Sequence, residues 1–236
     1  MTASVWAVVP AAGSGKRMAA EIPKQYLLLD GLPILEQTLR ALLACPDIRG
    51  VVVVLDPSDR RADSIKSLAD PRVMTAVGGA ERADSVLSGL ERLNAWAGPS
   101  DWVLVHDAAR PCISVATLRE LIKTSLGSGV GSILAQVSTD TIKRIDDDGR
   151  VVETQDRREL VRAQTPQLFE LGLLQQALAQ ALSSDVSITD ESMAMELAGH
   201  PVQVVNGPAT NMKITLPGDL EFAEIILKRL QGRGIE

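Results

Sequence analysis

The chain has 236 residues, of which 45% are hydrophobic and 23% charged, so it is long enough and apolar enough to bury a sizeable core. Its net charge of −6 argues against a nucleic-acid-binding protein, because such proteins normally present a basic surface. No apolar run approaches the roughly 20 residues of a membrane span, and residues 1–6 lack the basic charge of a signal peptide. We therefore expect a cytoplasmic protein that binds neither nucleic acid nor membranes.

Cysteine and histidine do not indicate a metal site in this sequence. Cys45 and Cys112 are far apart and have no CxxC or CxxxH spacing, so we expect two reduced thiols. His106 and His200 are the two histidines, which excludes a site built on several imidazoles. We interpret His106 as a packing residue.

Segments typical of strands alternate with segments typical of helices. Apolar, β-branched runs predict strands at residues 5–9, 51–55, 73–77, 102–105, 132–137 and 202–205. Apolar residues recur at helical spacing over residues 34–43 and 220–230. Continuous apolar strands between amphipathic helices indicate an α/β fold with a Rossmann-like, mainly parallel sheet covered by helices on both faces. Since no repeat or low-complexity linker interrupts the pattern, we predict that residues 1–236 form a single domain.

The first predicted strand leads into a glycine-rich loop, VVPAAGSGKRM, at residues 8–18. The loop is not a P-loop, which needs Ser or Thr where Arg17 stands, and it lacks the third glycine of the dinucleotide fingerprint. Gly13 and Gly15 allow backbone N–H groups to approach phosphate oxygens, and Arg17 and Lys24 can neutralise those oxygens. A plain tight turn is the alternative interpretation, but this density of positive charge in an acidic protein favours a triphosphate.

Two further loops follow predicted strands, at the edge of the sheet where ligands bind in α/β proteins. Gly78 and Gly79 follow the third strand and lead into a helix, and Asp107 follows the fourth strand. A carboxylate at that position can hold Mg²⁺, which favours a few oxygen ligands together with substrate phosphates. The alternative is a structural Asp107 paired with Arg110.

Residues 138–160 interrupt the α/β pattern with a strongly charged segment. Asp148-Gly149 is a hairpin-turn signal between two short strand-like pieces, which predicts a two-stranded ribbon. Because so polar a ribbon is not stable alone in water, two interpretations are open. The ribbon is either a solvated hairpin on the domain surface or an arm that packs against a second subunit.

Six short motifs occur in order over nearly the whole chain: PAAGSGKRM, PKQYL, GGAERADSV, HDAARP, ITDE at residues 188–191, and NMKIT at residues 211–215. Together they closely resemble the 2-C-methyl-D-erythritol 4-phosphate cytidylyltransferase family of the non-mevalonate isoprenoid pathway. The resemblance implies a fold of the nucleotide-diphospho-sugar transferase type with a protruding β-arm. It also implies Mg²⁺-dependent transfer of CMP from CTP to methylerythritol phosphate, with release of pyrophosphate and no covalent enzyme intermediate. Other divalent cations are expected to substitute for Mg²⁺.

The resemblance also implies roles for individual residues. Arg17 and Lys24 would stabilise the transition state and the leaving group, while Arg157 and Lys213 would position the attacking phosphate. The nucleotide would contact Ala11, Ala12, Gly13, Ser14, Gly15, Gly79, Ala80, Ser85 and Ala108. Methylerythritol phosphate would contact Asp107, Arg110, Thr141, Arg157, Thr165, Thr189 and Lys213, and Asp107 would also bind Mg²⁺. Segment 138–160 would be an arm exchanged between the two subunits of a homodimer, where it completes the other subunit's site.

Two other functions fit parts of the same pattern. A cytidylyltransferase acting on ribitol 5-phosphate would share the nucleotide-binding motifs and differ in residues 138–165 and 188–215. A non-catalytic nucleotide-binding regulator would not need Arg17 and Lys24, whose presence argues against it. Ala80 departs from the family, since some members carry aspartate there, so base recognition must depend on backbone groups or on other side chains.

Overall fold

The computed structural model describes residues 3–13, 22–184 and 186–232. Its strands are β1 (Val5–Pro10), β2 (Leu28–Leu29), β3 (Leu32–Pro33), β4 (Ile48–Leu55), β5 (Val73–Val77), β6 (Trp102–Val105), β7 (Ser132–Val137), β8 (Lys143–Ile145), β9 (Val151–Thr154), β10 (Val161–Glu170) and β11 (Gln203–Asn206). Its helices are α1 (Ile34–Leu43), α2 (Arg82–Leu93), α3 (Val115–Ser128), α4 (Leu171–Leu182), α5 (Glu191–Leu197) and α6 (Asp219–Leu230). None of the described helices is long and apolar enough to cross a membrane.

Seven of the described strands form a central sheet. Its order is β11-β7-β10-β6-β1-β4-β5, so the first strand of the chain lies near the middle. β1 pairs in parallel with β4 and β6, β4 with β5, and β11 with β7. Within this described sheet, β10 alone runs antiparallel to its neighbours, β6 and β7. The predicted α/β fold with a mainly parallel sheet is confirmed.

Alternate residues of each central strand enter two separate cores, because successive side chains of a strand point to opposite faces. In β1, Val5, Ala7 and Val9 pack with α1 and α3 on one face. Trp6 and Val8 pack with α2, α4 and α5 on the other face. Helices therefore cover both faces of the sheet, as the continuous apolar strands predict.

β10 is a central strand that the apolar patterns did not predict. It contains Pro166, and its pairing with β7 shifts register between Ala163 and Gln167. Proline cannot donate a hydrogen bond to a neighbouring strand, so it is tolerated at such a break. Because Gln167 lies opposite Val105 in β6, the preceding Thr165 reaches the residues that follow β6.

Residues 138–160 contain the predicted ribbon, outside the central sheet. β8 and β9 pair with each other in antiparallel fashion, and Gly149 takes a left-handed backbone conformation (φ 77°) in the turn between them. Every residue of both strands is exposed. The ribbon follows β7 and precedes β10, and these two strands pair with each other at Val137 and Val161. The ribbon therefore extends from the edge of the sheet at which β7 ends.

Candidate active site

The carboxyl ends of β1, β5 and β6 bring three loops to one edge of the sheet. β1 leads into residues 11–13, β5 into residues 78–81, and β6 into Asp107. The first two loops touch, since a Cβ atom on Gly78 would lie 2.3 Å from the Cβ of Ala12. That distance is far below a van der Waals contact, so this close approach requires glycine.

Internal hydrogen bonds hold both glycine loops. Gln25 donates from Nε2 to the carbonyl oxygens of Ala11 at 2.8 Å and Gly13 at 3.0 Å. Ser85 accepts a hydrogen bond from the N–H of Gly79 at 3.1 Å. Among the predicted nucleotide contacts, Gly13, Gly79 and Ala80 are exposed, Ala12 is half-buried, and Ala11, Ser85 and Ala108 are buried. Ser14, Gly15 and Arg17 lie outside the described residues.

Asp107 lies within a cluster of positively charged side chains. Its Oδ1 accepts a hydrogen bond from Nε of Arg82 at 3.2 Å and lies 3.1 Å from Nη2 of the same residue. Its Oδ2 lies 2.7 Å from Nζ of Lys213 and 3.6 Å from Nε of Arg110. The alternative prediction from the sequence, a pairing of Asp107 with Arg110, is therefore present in the structure, but it is the longest of these contacts.

These cations decide the charge of Asp107. Burial alone would raise the pKa of this carboxyl group, because a carboxylate loses its hydration there. The opposite charges of Arg82, Lys213 and Arg110 outweigh burial and hold the pKa of Asp107 well below its usual range. The side chain is therefore a carboxylate at neutral pH, which is the form that binds a cation.

A chain of hydrogen bonds fixes the backbone of Asp107. Its N–H donates to Oγ1 of Thr165 at 3.0 Å, and this hydroxyl lies 3.1 Å from Nδ1 of His106. The other ring nitrogen, Nε2, lies 3.0 Å from the carbonyl oxygen of Arg110. Because a carbonyl can only accept, Nε2 carries the proton and the Thr165 hydroxyl donates to Nδ1. The imidazole thus joins the two ends of the Asp107 loop.

His106 keeps this pattern because it stays neutral. Burial lowers the pKa of its imidazole to about 4, since the charged form would lose its hydration. Both ring nitrogens have hydrogen-bond partners inside the protein. His106 therefore supports the loop as a buried packing residue, in agreement with its interpretation from the sequence.

Thr165→Val is expected to lower the free energy of unfolding by about 2 kcal/mol or more, because it leaves the Asp107 N–H and the His106 Nδ1 buried without partners. Urea denaturation measures this change. Thr75→Val is the matched control, since Thr75 is exposed on β5 and its replacement should have little effect. Equal free energies of unfolding for the two variants would contradict the hydrogen-bond chain.

A pocket of about 190 Å³ opens beside Asp107. Its lining residues are Arg82, Asp107, Arg110, Ala163, Gln164, Thr165, Gln167, Thr189, Asp190 and Lys213. The structure thus brings together the predicted acceptor contacts Asp107, Arg110, Thr165, Thr189 and Lys213. Thr141 and Arg157, the other predicted acceptor contacts, are exposed near the ribbon and do not line this pocket. The Arg157 guanidinium instead donates to the carbonyl oxygen of Thr139.

Several residues of this site carry no role in the prediction from sequence. Arg82 contacts both Asp107 and Glu191, and only 1% of the Glu191 side chain is exposed. Asn211 is fully buried and donates from Nδ2 to the carbonyl oxygen of Thr165 at 2.8 Å. All three lie inside the quoted motifs GGAERADSV, ITDE and NMKIT. Each of these residues carries a charge or an amide group within a motif that adjoins a predicted loop, and this is the feature of the sequence that could have indicated a role in the site.

Comparisons with known proteins agree over almost the whole chain. A family model for 2-C-methyl-D-erythritol 4-phosphate cytidylyltransferase matches residues 5–229. The chain is similar to proteins of that name from Pseudomonas fluorescens (49% identity over 221 residues, 93% of this chain and 94% of the relative) and Ectopseudomonas mendocina (50% over 223 residues, 94% and 95%). It also resembles the crystal structure of a 4-diphosphocytidyl-2C-methyl-D-erythritol synthase, with a TM-score of 0.83 and 35% identity over 96% of this chain and all of that one. The Francisella tularensis 2-C-methyl-D-erythritol 4-phosphate cytidylyltransferase aligns with a TM-score of 0.81 and 33% identity, over 95% of this chain and 100% of its own.

Proposed function

Since the chain belongs to the 2-C-methyl-D-erythritol 4-phosphate cytidylyltransferase family, we propose that the centre around Asp107 is where it transfers CMP from CTP to 2-C-methyl-D-erythritol 4-phosphate. The activity yields pyrophosphate and 4-diphosphocytidyl-2-C-methyl-D-erythritol, an intermediate of isoprenoid precursor biosynthesis. The observation that carries the placement is the convergence of Arg82, Arg110 and Lys213 on one carboxylate beside the pocket. A cluster of positively charged side chains of this kind offsets the repulsion between two anionic substrates.

The reaction is an in-line attack of the acceptor's phosphate oxygen on the α-phosphorus of CTP. The new P–O bond forms as the bond to pyrophosphate breaks, and negative charge grows on the equatorial oxygens and on the leaving group. The attacking phosphate is already an anion, so the step needs no general base. His106 is buried, neutral and hydrogen-bonded at both ring nitrogens, which does not suit it to act as one. Catalysis therefore depends on positioning and on preorganised positive charge.

Each part of the site has one role in this proposal. Residues 11–15, 79 and 80, with Ser85 and Ala108, bind the cytidine triphosphate. Arg17 and Lys24 stabilise the transition state and the departing pyrophosphate. Arg157 and Lys213 position the attacking phosphate, and the acceptor is also held by Arg110, Thr141, Thr165 and Thr189.

The donor set at Asp107 fits a magnesium ion that arrives with the triphosphate. No group of three or more metal-binding side chains occurs in the described ranges, so these residues do not form a closed metal cage. Mg²⁺ commonly takes one or two carboxylates and completes its coordination with water and substrate phosphates. Asp107 would hold the ion, which when bound neutralises charge on the phosphates. The Lys213 ammonium at 2.7 Å from Oδ2 supports this role, because it marks a position suited to positive charge.

Lys24→Ala is expected to lower kcat by about 100-fold while changing the affinity for CTP much less, because its charge is needed mainly as the leaving group develops. In the structure, Nζ of Lys24 donates to the carbonyl oxygen of Ile214 at 3.4 Å, so it lies beside the backbone that follows Lys213. Steady-state kinetics with CTP as the varied substrate measures both effects. Lys66→Ala, on an exposed turn, is the control. A loss of CTP affinity with unchanged kcat would assign Lys24 to ground-state binding.

We also propose that the chain is a single catalytic domain that works as a homodimer through the arm at residues 138–160. Ile145, Val151 and Val152 on this arm are 58%, 62% and 47% exposed, and a second subunit would cover this apolar surface. The exposed position of Arg157, outside the pocket of its own subunit, supports a role in the other subunit's site. A cytoplasmic location fits the two free, buried cysteines.

Pyrophosphate release from CTP and Mg²⁺ tests the proposed function directly. We expect release with methylerythritol phosphate as the acceptor and little release with ribitol 5-phosphate. Preference for ribitol 5-phosphate would support the related cytidylyltransferase instead, and release with neither acceptor would support a non-catalytic regulator.

A further inference from the structure

The guanidinium group of Arg82 bridges two carboxylates from different parts of the site. Nη1 donates to Oε1 of Glu191 at 2.6 Å and Nη2 donates to Oε2 at 3.2 Å, so this ion pair is bidentate. The same group contacts Oδ1 of Asp107, through Nε at 3.2 Å and Nη2 at 3.1 Å. Arginine can make this double contact because its donors form a planar fork, which lysine lacks.

Both ends of the Arg82–Glu191 pair are fixed by capped helices. Glu191 is 1% exposed and is the first residue of α5, which Asp190 caps. Arg82 is the first residue of α2, which a capping box of Glu81 and Asp84 begins. Because caps satisfy the free N–H groups of the first turn, they hold these helix starts in place. The protein scaffold therefore sets the direction of the Arg82 guanidinium.

The two oxygens of Asp107 consequently have different surroundings. Oδ1 contacts Arg82, whose position Glu191 determines. Oδ2 lies 2.7 Å from Nζ of Lys213, whose side chain is 35% exposed, and at the longer distance of 3.6 Å from Nε of Arg110. A lysine that makes a single point contact can exchange one anionic partner for another. The Arg82 guanidinium is itself 31% exposed, but its bidentate pair with the buried Glu191 makes such an exchange harder.

We propose that Arg82 is a positioning residue for the transfer reaction: anchored by Glu191, it holds Oδ1 of Asp107 so that Oδ2 is the oxygen that exchanges Lys213 for the cation bound with CTP. Lys213 then becomes available to the phosphate of the acceptor. The same bridge joins the nucleotide loop before α2 to the acceptor segment before α5, so a shift of either one moves Asp107. This inference rests on the proposed role of Asp107 as the ligand of that cation.

Glu191→Gln tests the bridge, because it keeps the size of the side chain and removes the charge that anchors Arg82. We expect turnover, measured as pyrophosphate release, to fall by about 10-fold or more. We expect binding of Mn²⁺ to the protein in the presence of CTP to weaken by about 10-fold, measured from the electron paramagnetic resonance signal of free Mn²⁺ after subtraction of binding by CTP alone. Glu36→Gln is the matched control, since Glu36 is also buried and ion-paired, to Arg40, but lies outside the pocket lining. The control should lose thermal stability without losing turnover.

Arg82→Lys is a second variant that keeps the positive charge beside Glu191, in case Glu191→Gln does not fold. Its melting temperature should stay closer to that of the wild type than that of Glu191→Gln does, because a positive charge remains beside Glu191. Its turnover should fall by about 10-fold, because lysine cannot bridge both carboxylates. Wild-type turnover in Arg82→Lys, or turnover in Glu191→Gln equal to that of Glu36→Gln, would overturn the proposal. Asp107→Asn in the Mn²⁺ assay tests the cation site separately. Undiminished Mn²⁺ binding by that variant would contradict the proposed function of Asp107, whatever Glu191→Gln does to turnover.

Discussion

Mixing Arg157→Ala subunits with Lys213→Ala subunits is expected to restore roughly a quarter of wild-type turnover, although each variant alone should be nearly inactive. Arg157 lies on the exposed arm and Lys213 lines the pocket. If Arg157 acts in the site of the other subunit, a mixed dimer has one intact site and one doubly damaged site. After random exchange about half of the dimers are mixed, which gives the expected fraction.

Three controls make the mixing experiment decisive. Mass measurements must first show that mixed dimers form. Mixing Arg157→Ala with the Arg157→Ala/Lys213→Ala double variant should restore nothing, since no dimer in that mixture has an intact site. Arg158→Ala removes a neighbouring arginine whose described ion pair is with Asp156 on the same arm, and it should keep near wild-type turnover. Mixed dimers that stay as inactive as the single variants would show that Arg157 does not act across the interface.

Asp107→Asn is expected to lower turnover by about 100-fold or more while the fold and the proposed dimer persist. The amide has the shape of the carboxylate and keeps the backbone hydrogen bond to Thr165, but it offers no negative charge to a cation. The half-exposed Lys213 can turn towards water, so the loss of its partner need not unfold the site. Pyrophosphate release measures turnover, and thermal unfolding and size-exclusion chromatography check fold and dimer.

Asp47→Asn is the matched control for this change. Asp47 forms an exposed ion pair with Arg119 at 2.9 Å, neither residue lines the pocket, and exposed pairs contribute little to stability. The control should therefore keep wild-type turnover. Near wild-type turnover of Asp107→Asn at limiting Mg²⁺ would remove Asp107 from its proposed role.

The parallel strands could be predicted because a strand that is buried on both faces of the sheet is a continuous run of apolar residues. The apolar runs ending at residues 55, 77 and 105 are strands in the structure and end where predicted. The positions of Gly78 and Asp107 just after the carboxyl ends of β5 and β6 also followed from the sequence. The hairpin at Asp148-Gly149 could be predicted for a different reason. Gly149 has a positive φ in the turn, a conformation that favours glycine, and Asp-Gly is a typical sequence for such a turn.

The remainder depends on contacts between distant parts of the chain. β10 carries a proline and exposed residues at its start, so no local pattern reveals that it pairs on both sides within the sheet. Arg82 meets Asp107 across 25 positions and Glu191 across 109 positions of sequence. A charged residue in a motif indicates that it has a partner, but the identity of that partner depends on the tertiary structure, because the two residues are far apart in the sequence.

The strand order also has a consequence for protein synthesis. β1, β4, β5 and β6 are contiguous in the sheet, and all four have been made once residue 105 leaves the ribosome. β7 is made next, but its neighbours in the described sheet are β10 and β11, which begin at Val161 and Gln203. Because a strand needs a neighbour for its backbone hydrogen bonds, β7 must wait for the whole ribbon and β10 to be translated. The nascent chain can therefore pair four of the seven described sheet strands early, while the three strands on the side that carries the arm pair late.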